Sequence, residues 1–477
     1  MRTARHRLVC AAAAVALAGC AITSPQQRPD VRIPEAWNEA AAAAPGASVP
    51  LDWWLAFQSA ELAQLIAAAL AGSPDLAIAA ERVRQAEAQV RVAGASLYPT
   101  LDLSGRVSRI ETRPRDAPSL ITDVTSVGLA ASYEIDLWGR LASGVRGAES
   151  SLAAREFDRD TVRLTLTAGV ATAYFDVRSL RGRIVIARDN LAIAERVLAV
   201  VDARVRNGAA TPLDLARQRT AVLGLRAAIP PLEVQERQTL AALAILVGQP
   251  PEGFRLDGVA LIGLGVPAVA PGLPAELLVR RPDLASAEAQ LAAANADIAV
   301  ARAALLPSIS LTGAAGVASG TLLSLGSASG PTLSIAAALL QPIFDGGRRS
   351  ALVDVATSRE RELVEVYRAA ILAALADVES ALAATTRTAV QEEYLTQARD
   401  EARRALSLAE IRYREGADDL LVVLDAQRTL FQAQDQLALT RLARLQASVG
   451  LYRALGGGWT LPVAAADAKP ADAPARP

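Results

Sequence analysis

The chain has 477 residues, 52% of them hydrophobic and 21% charged, enough to bury a large core and more than one compact unit requires. With 49 basic against 50 acidic residues and no Lys/Arg block beyond the first seven positions, it offers no nucleic-acid surface and no basic patch for anionic lipid. Aromatic residues make up only 4% while alanine is abundant, which favours close-packed helices over a bulky aromatic core.

Residues 1–19 read as a lipoprotein signal peptide. Arg2, Arg5 and Arg7 precede an apolar run from Leu8 to Ala18, and Leu17-Ala18-Gly19-Cys20 supplies a small-residue cleavage site. That last quartet resembles the bacterial lipoprotein signal, in which the cysteine becomes the first residue and is lipidated. The resemblance implies N-acyl and diacylglycerol groups on Cys20, and Ala21 after it fits sorting to the outer membrane. Cleavage would remove His6 and Cys10, leaving no histidine and no free thiol. Ser-His-Asp or Cys-His catalysis, His/Cys metal sites and disulfides are then excluded, so no enzyme, metal or cofactor other than the lipid is expected. Residues 20–72 form the anchored N-terminal segment.

Two repeats follow, 73–250 and 281–458, joined by a linker at 251–280. Ser73-Pro74-Asp75-Leu76 aligns with Arg281-Pro282-Asp283-Leu284, Gly139-Arg140 with Gly347-Arg348, and Gly248 with Gly456, always 208 positions apart. Each repeat opens with a helix, from Pro74 towards Leu97 or from Pro282 towards Leu306, that stops before a proline. Hairpins are expected at about 100–137 and 308–344. In the first, Leu101, Leu103 and Val107 alternate with Asp102, Ser104 and Arg106, and Val127, Leu129 and Tyr133 with Ser132, Glu134 and Asp136. Strands of about ten residues with one apolar face have the dyad pattern of a transmembrane barrel. Four such strands cannot close, and an open edge is forbidden in lipid, so closure demands further copies; three would give twelve strands, an even number within the range of bacterial barrels, with Asp102, Arg106, Glu134 and Asp136 facing water.

From Gly139 to Val205 and from Gly347 to Glu415 there is no proline. Each run, as one helix, would extend about 100 Å. Gly208 and Gly416 fit the residue just past a helix end, and Thr211-Pro212 and Asp418 fit the start of return helices at about Leu213–Val247 and Leu420–Leu455. Pro230-Pro231 predicts a kink or break in the first return helix alone. Alanine on several faces and no sustained Leu/Ile heptad favour helices that touch two neighbours, as in a tube wall, over a coiled-coil rod. The loops near Glu111–Thr122 and Ala318–Pro331 would face outside, the second being mobile, and 459–477 reads as a disordered tail.

These features, with Leu51 to Leu62 (LDWWLAFQSAEL), Arg280 to Leu284 (RRPDL), Gln341 to Arg349 (QPIFDGGRR) and Arg412 to Phe431 (RYREGADDLLVVLDAQRTLF), resemble the lipoprotein branch of the outer-membrane efflux factors. The resemblance implies a membrane protein of mixed α/β class: a homotrimer with a twelve-stranded transmembrane β-barrel continued by a periplasmic α-helical barrel. It implies docking to a periplasmic adaptor and an inner-membrane resistance-nodulation-division transporter. The activity implied is a passive exit duct for drugs and toxic organics. Type I secretion and metal efflux are the alternatives, and a periplasmic coiled-coil scaffold without a pore stands behind them. By the same resemblance Leu421, Asp425 and Arg428 match the periplasmic gate, and Tyr413 and Asp214 an inter-coil hydrogen bond that restrains it. In the first repeat the position equivalent to Asp425 is Arg217.

Overall fold

The computed structural model describes residues 29–39, 49–113, 115, 118–258, 261, 264–327 and 330–461. The signal peptide, Cys20 and the tail beyond Leu461 lie outside the described residues, as do parts of both outward loops. In chain order the elements are α1 (Ala60–Gly72), α2 (Pro74–Ala95), β1 (Thr100–Thr112), β2 (Leu120–Ile135), α3 (Arg140–Arg206) and α4 (Pro212–Val247). There follow α5 (Leu277–Arg280), α6 (Pro282–Ala303), β3 (Ser308–Ser319), β4 (Thr332–Leu340), α7 (Arg348–Arg414) and α8 (Leu420–Ala454). Pro74 and Pro282, Thr100 and Ser308, Arg140 and Arg348, and Pro212 and Leu420 each stand 208 positions apart, so the second half restarts the order of the first.

One expectation changes. The break at Pro230-Pro231 is absent, because α4 runs unbroken through both prolines. The carbonyls that lose their donors there belong to Arg226 and Ala227, both exposed, so water can replace the missing bonds. The linker 251–280 contains a 3-10 turn at Pro274–Glu276 and then α5.

The chain divides into two compact units. One holds Arg82–Glu156 and Ser286–Arg368. Its four strands form a single antiparallel sheet in the order β1-β2-β3-β4, so the two hairpins pair with each other although far apart in sequence. The register places Leu103, Leu129, Ala315 and Leu333 in one row across all four strands, and Leu101, Ala131, Gly313 and Ile335 in the next row on that face. The opposite face carries the row Ser104, Gly128, Gly316 and Thr332. The apolar face is bare: Leu103 is 75% exposed and Leu333 77%.

Two of the carboxylates on the polar side also make fixed bonds. Arg140 donates to both oxygens of Glu134 (3.2 and 2.8 Å), and Asp136 accepts from the Leu141 and Ala142 amides (3.1 and 2.8 Å), capping the start of α3. Asp345 does the same for α7, accepting from the Gly347 and Arg349 amides (3.1 and 3.3 Å). Its repeat counterpart is Leu137, so the capping carboxylate has moved by one position.

The other unit holds Val31–Glu81, Phe157–Ala285 and the described part of Ala369–Pro477. The few aromatics are concentrated here. Trp53, Phe57, Tyr174, Phe175 and Tyr452 share one buried cluster with Leu62, Ile66 and Leu243, and Trp53 stacks on Tyr452 at 5.1 Å. Helix ends meet closely: a Cβ on Gly248 would lie 2.1 Å from the Gly72 carbonyl oxygen, and one on Gly456 1.8 Å from that of Arg280. Both glycines have positive φ, 77° and 87°, which accounts for the same residue recurring 208 positions on. The chain after α8 is anchored as well. The Trp459 indole donates to Asp160 (2.8 Å) and the Leu461 amide to the Val279 carbonyl (3.1 Å), so the first residues of the expected tail are fixed.

Candidate gate

Two tight turns connect the long helices to the return helices, at Gly208 (φ 73°) and Gly416 (φ 78°). Thr211 caps α4 in a reciprocal box: its hydroxyl accepts from the Asp214 amide (3.2 Å) while the Asp214 carboxylate accepts from the Thr211 amide (3.0 Å) and hydroxyl (2.7 Å). Those bonds hold the Asp214 carboxyl below the usual aspartate range. In the second turn the cap is Asp419, which accepts from the Leu421 amide (2.8 Å). The expected cap, Asp418, is taken by Arg412, whose guanidinium donates to both its oxygens (2.7 and 2.9 Å).

Between the turns, Val197 and Val201 of α3, Leu406 and Ala409 of α7, and Leu420 and Val423 of α8 form one buried cluster around Tyr413. Tyr413 is 6% exposed and its hydroxyl has no hydrogen-bond partner. Burial raises its pKa. Arg204 of α3 donates to the Tyr413 carbonyl (2.5 Å) and lies over its ring, 4.6 Å from the centroid. The Tyr413–Asp214 hydrogen bond is not formed here: the Asp214 carboxylate is bonded to Thr211, and the buried Tyr413 hydroxyl has no partner.

Leu421, Asp425 and Arg428 share the exposed side of α8. Arg428 donates to Asp425 at 2.6 Å, and the two side chains are 69% and 66% exposed. An exposed pair of this kind is weak, about 0.3–0.5 kcal/mol at this spacing, so on its own it fixes nothing.

Sequence reasoning missed Arg204, although the signal was present. Arg204 is the repeat counterpart of Arg412, but the counterpart of Asp418 is Ala210. The first-repeat arginine, lacking that carboxylate, reaches across to the second turn. Also missed were the pairs that join α3 to its neighbours. Arg183 donates to both oxygens of Asp435 (2.7 and 3.2 Å), the Asn190 amide to Gln434 (2.6 Å), and Gln446 to Asp176 (2.8 Å), all between α3 and α8. Arg181–Glu236, Arg188–Glu233 and Arg226–Glu195, each at 2.7 Å, join α3 to α4. Glu392 of α7 accepts from Arg441 and Arg444 of α8 (2.7 Å each).

The chain thus combines a sheet with one bare apolar face and long paired helices, a membrane-protein pattern of mixed helix and strand. The outer membrane efflux protein family matches the chain twice, over residues 65–249 and 273–457, and the chain belongs to that family. It is 44% identical to the pyoverdine export outer membrane protein OpmQ of Pseudomonas aeruginosa, over 94% of this chain and 96% of that one. It is 32% identical to the cation efflux system protein CusC of Escherichia coli, over 94% and 97%. Its fold matches the open-state MtrE outer membrane channel of Neisseria gonorrhoeae with a TM-score of 0.82 and 29% identity, covering 92% of this chain and 98% of that one. The protein is an outer-membrane efflux channel.

Proposed function

We propose that three copies close one twelve-stranded barrel across the outer membrane, each contributing its four strands, and that their long helices line a periplasmic tube. The observation that carries this reading is a sheet with two unpaired edges beside an apolar face left bare. In hydrocarbon every unpaired backbone group costs several kcal/mol, so closure with further copies is the arrangement that satisfies both edges. The order restarting 208 positions on supports descent of the two halves from one duplicated unit.

On this reading the protein is the passive exit duct of a tripartite system, fed by an inner-membrane resistance-nodulation-division transporter through a periplasmic adaptor. It needs no cofactor beyond the lipid on Cys20, which tethers the first residue of the mature chain. Cargo is a small organic molecule. The relative at 44% identity is named for export of pyoverdine, the one at 32% for cations, and the sequence has no Met-rich or His-rich tract suited to metal.

The gate lies at the turn into α8, where three copies of Leu421, Asp425 and Arg428 would meet. A ring of three carboxylates repels itself unless each is compensated, and Arg428, 2.6 Å from Asp425, is the available partner. The test is planar-bilayer recording of the double variant Asp425→Ala, Arg428→Ala. A closed-state conductance raised several-fold supports the assignment, and one equal to wild type sinks it.

A further inference from the structure

Between α3, α7 and α8, with Leu261 of the linker against it, lies a cavity of about 560 Å³, the size of a small-molecule site. All of its lining belongs to the unit that holds the aromatic cluster, and none of it to the gate. Val185, Ile186, Leu261 and Leu437 give it an apolar wall. Ser179 also lines it and is only 2% exposed. Ser143, Ser150 and Ser151 of the same helix each donate to the carbonyl four residues back, the ordinary resting place of a serine hydroxyl in a helix. Ser179 does not: its hydroxyl is buried with no partner, which a folded protein seldom tolerates without a use for the group.

The polar groups left over around that hydroxyl are donors. Gln434 has its oxygen taken by the Asn190 amide (2.6 Å), which leaves its own NH2 group. Arg441 spends one nitrogen on Glu392 (2.7 Å) and another on the Leu264 carbonyl (2.8 Å), and a guanidinium carries five N–H donors. Arg403 lines the cavity, is exposed, and has no ion-pair partner among the described residues. The nearby acceptors are mostly used: Glu392 gives one oxygen each to Arg441 and Arg444, and Asp400 is paired with Arg399 (2.7 Å). Asp189 is the remaining carboxylate of the lining, and its exposure lets water and salt screen it. We propose that this cavity binds a small organic anion, an apolar ring or short chain bearing one carboxylate or sulfonate. Ser179, Gln434, Arg441 and Arg403 donate to the head, and Leu261, Leu437, Val185 and Ile186 cover the body. Bare phosphate would leave the apolar wall uncovered, and an uncharged ring would leave the donors unmet. A ligand seated there touches three helices and the linker at once, so it binds the folded chain alone and holds that junction together.

The test is titration calorimetry of the full-length protein in lipid nanodiscs with naphthalene-1-sulfonate as the probe. Wild type should bind it saturably. Arg403→Ala, which truncates an exposed side chain and leaves the fold intact, should weaken binding by about tenfold, the worth of one charge-assisted bond. Ser179→Ala should weaken it by about threefold to tenfold without lowering the unfolding midpoint of the free protein, because the hydroxyl it removes has no partner there. Arg237→Ala, on α4 and outside the cavity, should bind as wild type. Naphthalene-1-methanol, the same ring without the charge, and inorganic phosphate, the charge without the ring, should each bind about tenfold more weakly or less. No saturable binding to wild type, unchanged affinity in either Arg403→Ala or Ser179→Ala, or equal affinity for the uncharged ring or for phosphate overturns the proposal.

Discussion

Glu61, in the first turn of α1, accepts from both α3 and the chain at 257–258. One oxygen accepts from the Asp257 amide (2.7 Å) and the Gly258 amide (3.4 Å), the other from the Tyr174 hydroxyl (3.0 Å) and Arg178 (3.3 Å). The packing is tight, since a Cβ on Gly258 would fall 2.0 Å from the Arg178 guanidinium. Hydrogen bonds to a charged group contribute roughly 1.5–3 kcal/mol each, and truncation would strand the donors around a partly buried site. The Glu61 side chain is 25% exposed, so water recovers part of the loss, and Glu61→Ala should weaken this junction locally by about 2–3 kcal/mol. At 1.4 kcal/mol per factor of ten, the Asp257 and Gly258 amides should then exchange with deuterium about 30-fold to 150-fold faster than in wild type. Amides of the β-sheet serve as the unchanged reference.

The same site carries a pH dependence whose sign is fixed. Burial pushes the Glu61 carboxyl up, but the bonds from Asp257, Tyr174, Gly258 and Arg178 outweigh it and hold it below its ordinary 4.5. A lowered folded pKa stabilises fully above the unfolded value and is lost as pH falls through the folded one. Protection at Asp257 and Gly258, corrected for intrinsic exchange, should therefore hold from pH 7 to about 5 and decline only below the ordinary carboxylate range. Exchange within threefold of wild type in Glu61→Ala, or a decline that begins above pH 5.5, would refute this account of the junction.

The two faces of the sheet should respond oppositely to charge. Leu129→Arg places a cation on the apolar face at a cost of about 2–4 kcal/mol near the bilayer midplane and should sharply lower the membrane-inserted fraction, whereas Ser126→Arg, on the other face, should insert normally. Gly456→Ala drives a methyl into the Arg280 carbonyl and should abolish assembled protein in membrane extracts, while Gly450→Ala, with open space around it, should assemble as wild type. Tyr413→Phe removes a buried hydroxyl that has no partner and should leave the midpoint of urea unfolding unchanged or slightly raised. Tyr413→Ala also removes the surface under Arg204 and should lower that midpoint, with a loss of about 3 kcal/mol or more in unfolding free energy.

How much of this was legible beforehand varies by element. Helices were the clearest. The proline-free runs mark α3 and α7 to within a residue or two, because a helix continues until something stops it, and Gly208 and Gly416 are the stops. Strand faces were readable from alternation, but the joining of the hairpins through β2 and β3 was not, since pairing partners 200 residues apart leave no local trace. Pro230-Pro231 misled because an interior proline weakens a helix without always ending it, and the exposure that lets water reach the freed Arg226 and Ala227 carbonyls is not a local property of the sequence. At the gate, residue types were visible while their partners were not. Asp418 and Asp419 are equally good caps in sequence, and only the position of Arg412 decides that the second caps α8. Likewise Asp214 satisfies its own helix before it can reach Tyr413.

The central claim is that this chain forms a conducting pore by closing a barrel from several copies. Its most direct test is to measure the native mass of the purified full-length protein in mild detergent and then to record that same fraction in planar lipid bilayers. The account predicts the mass of three chains and discrete conductance steps from that fraction. A monomer, or a three-chain assembly that enters the bilayer and passes no current even when Asp425 and Arg428 are both replaced by alanine, would contradict it.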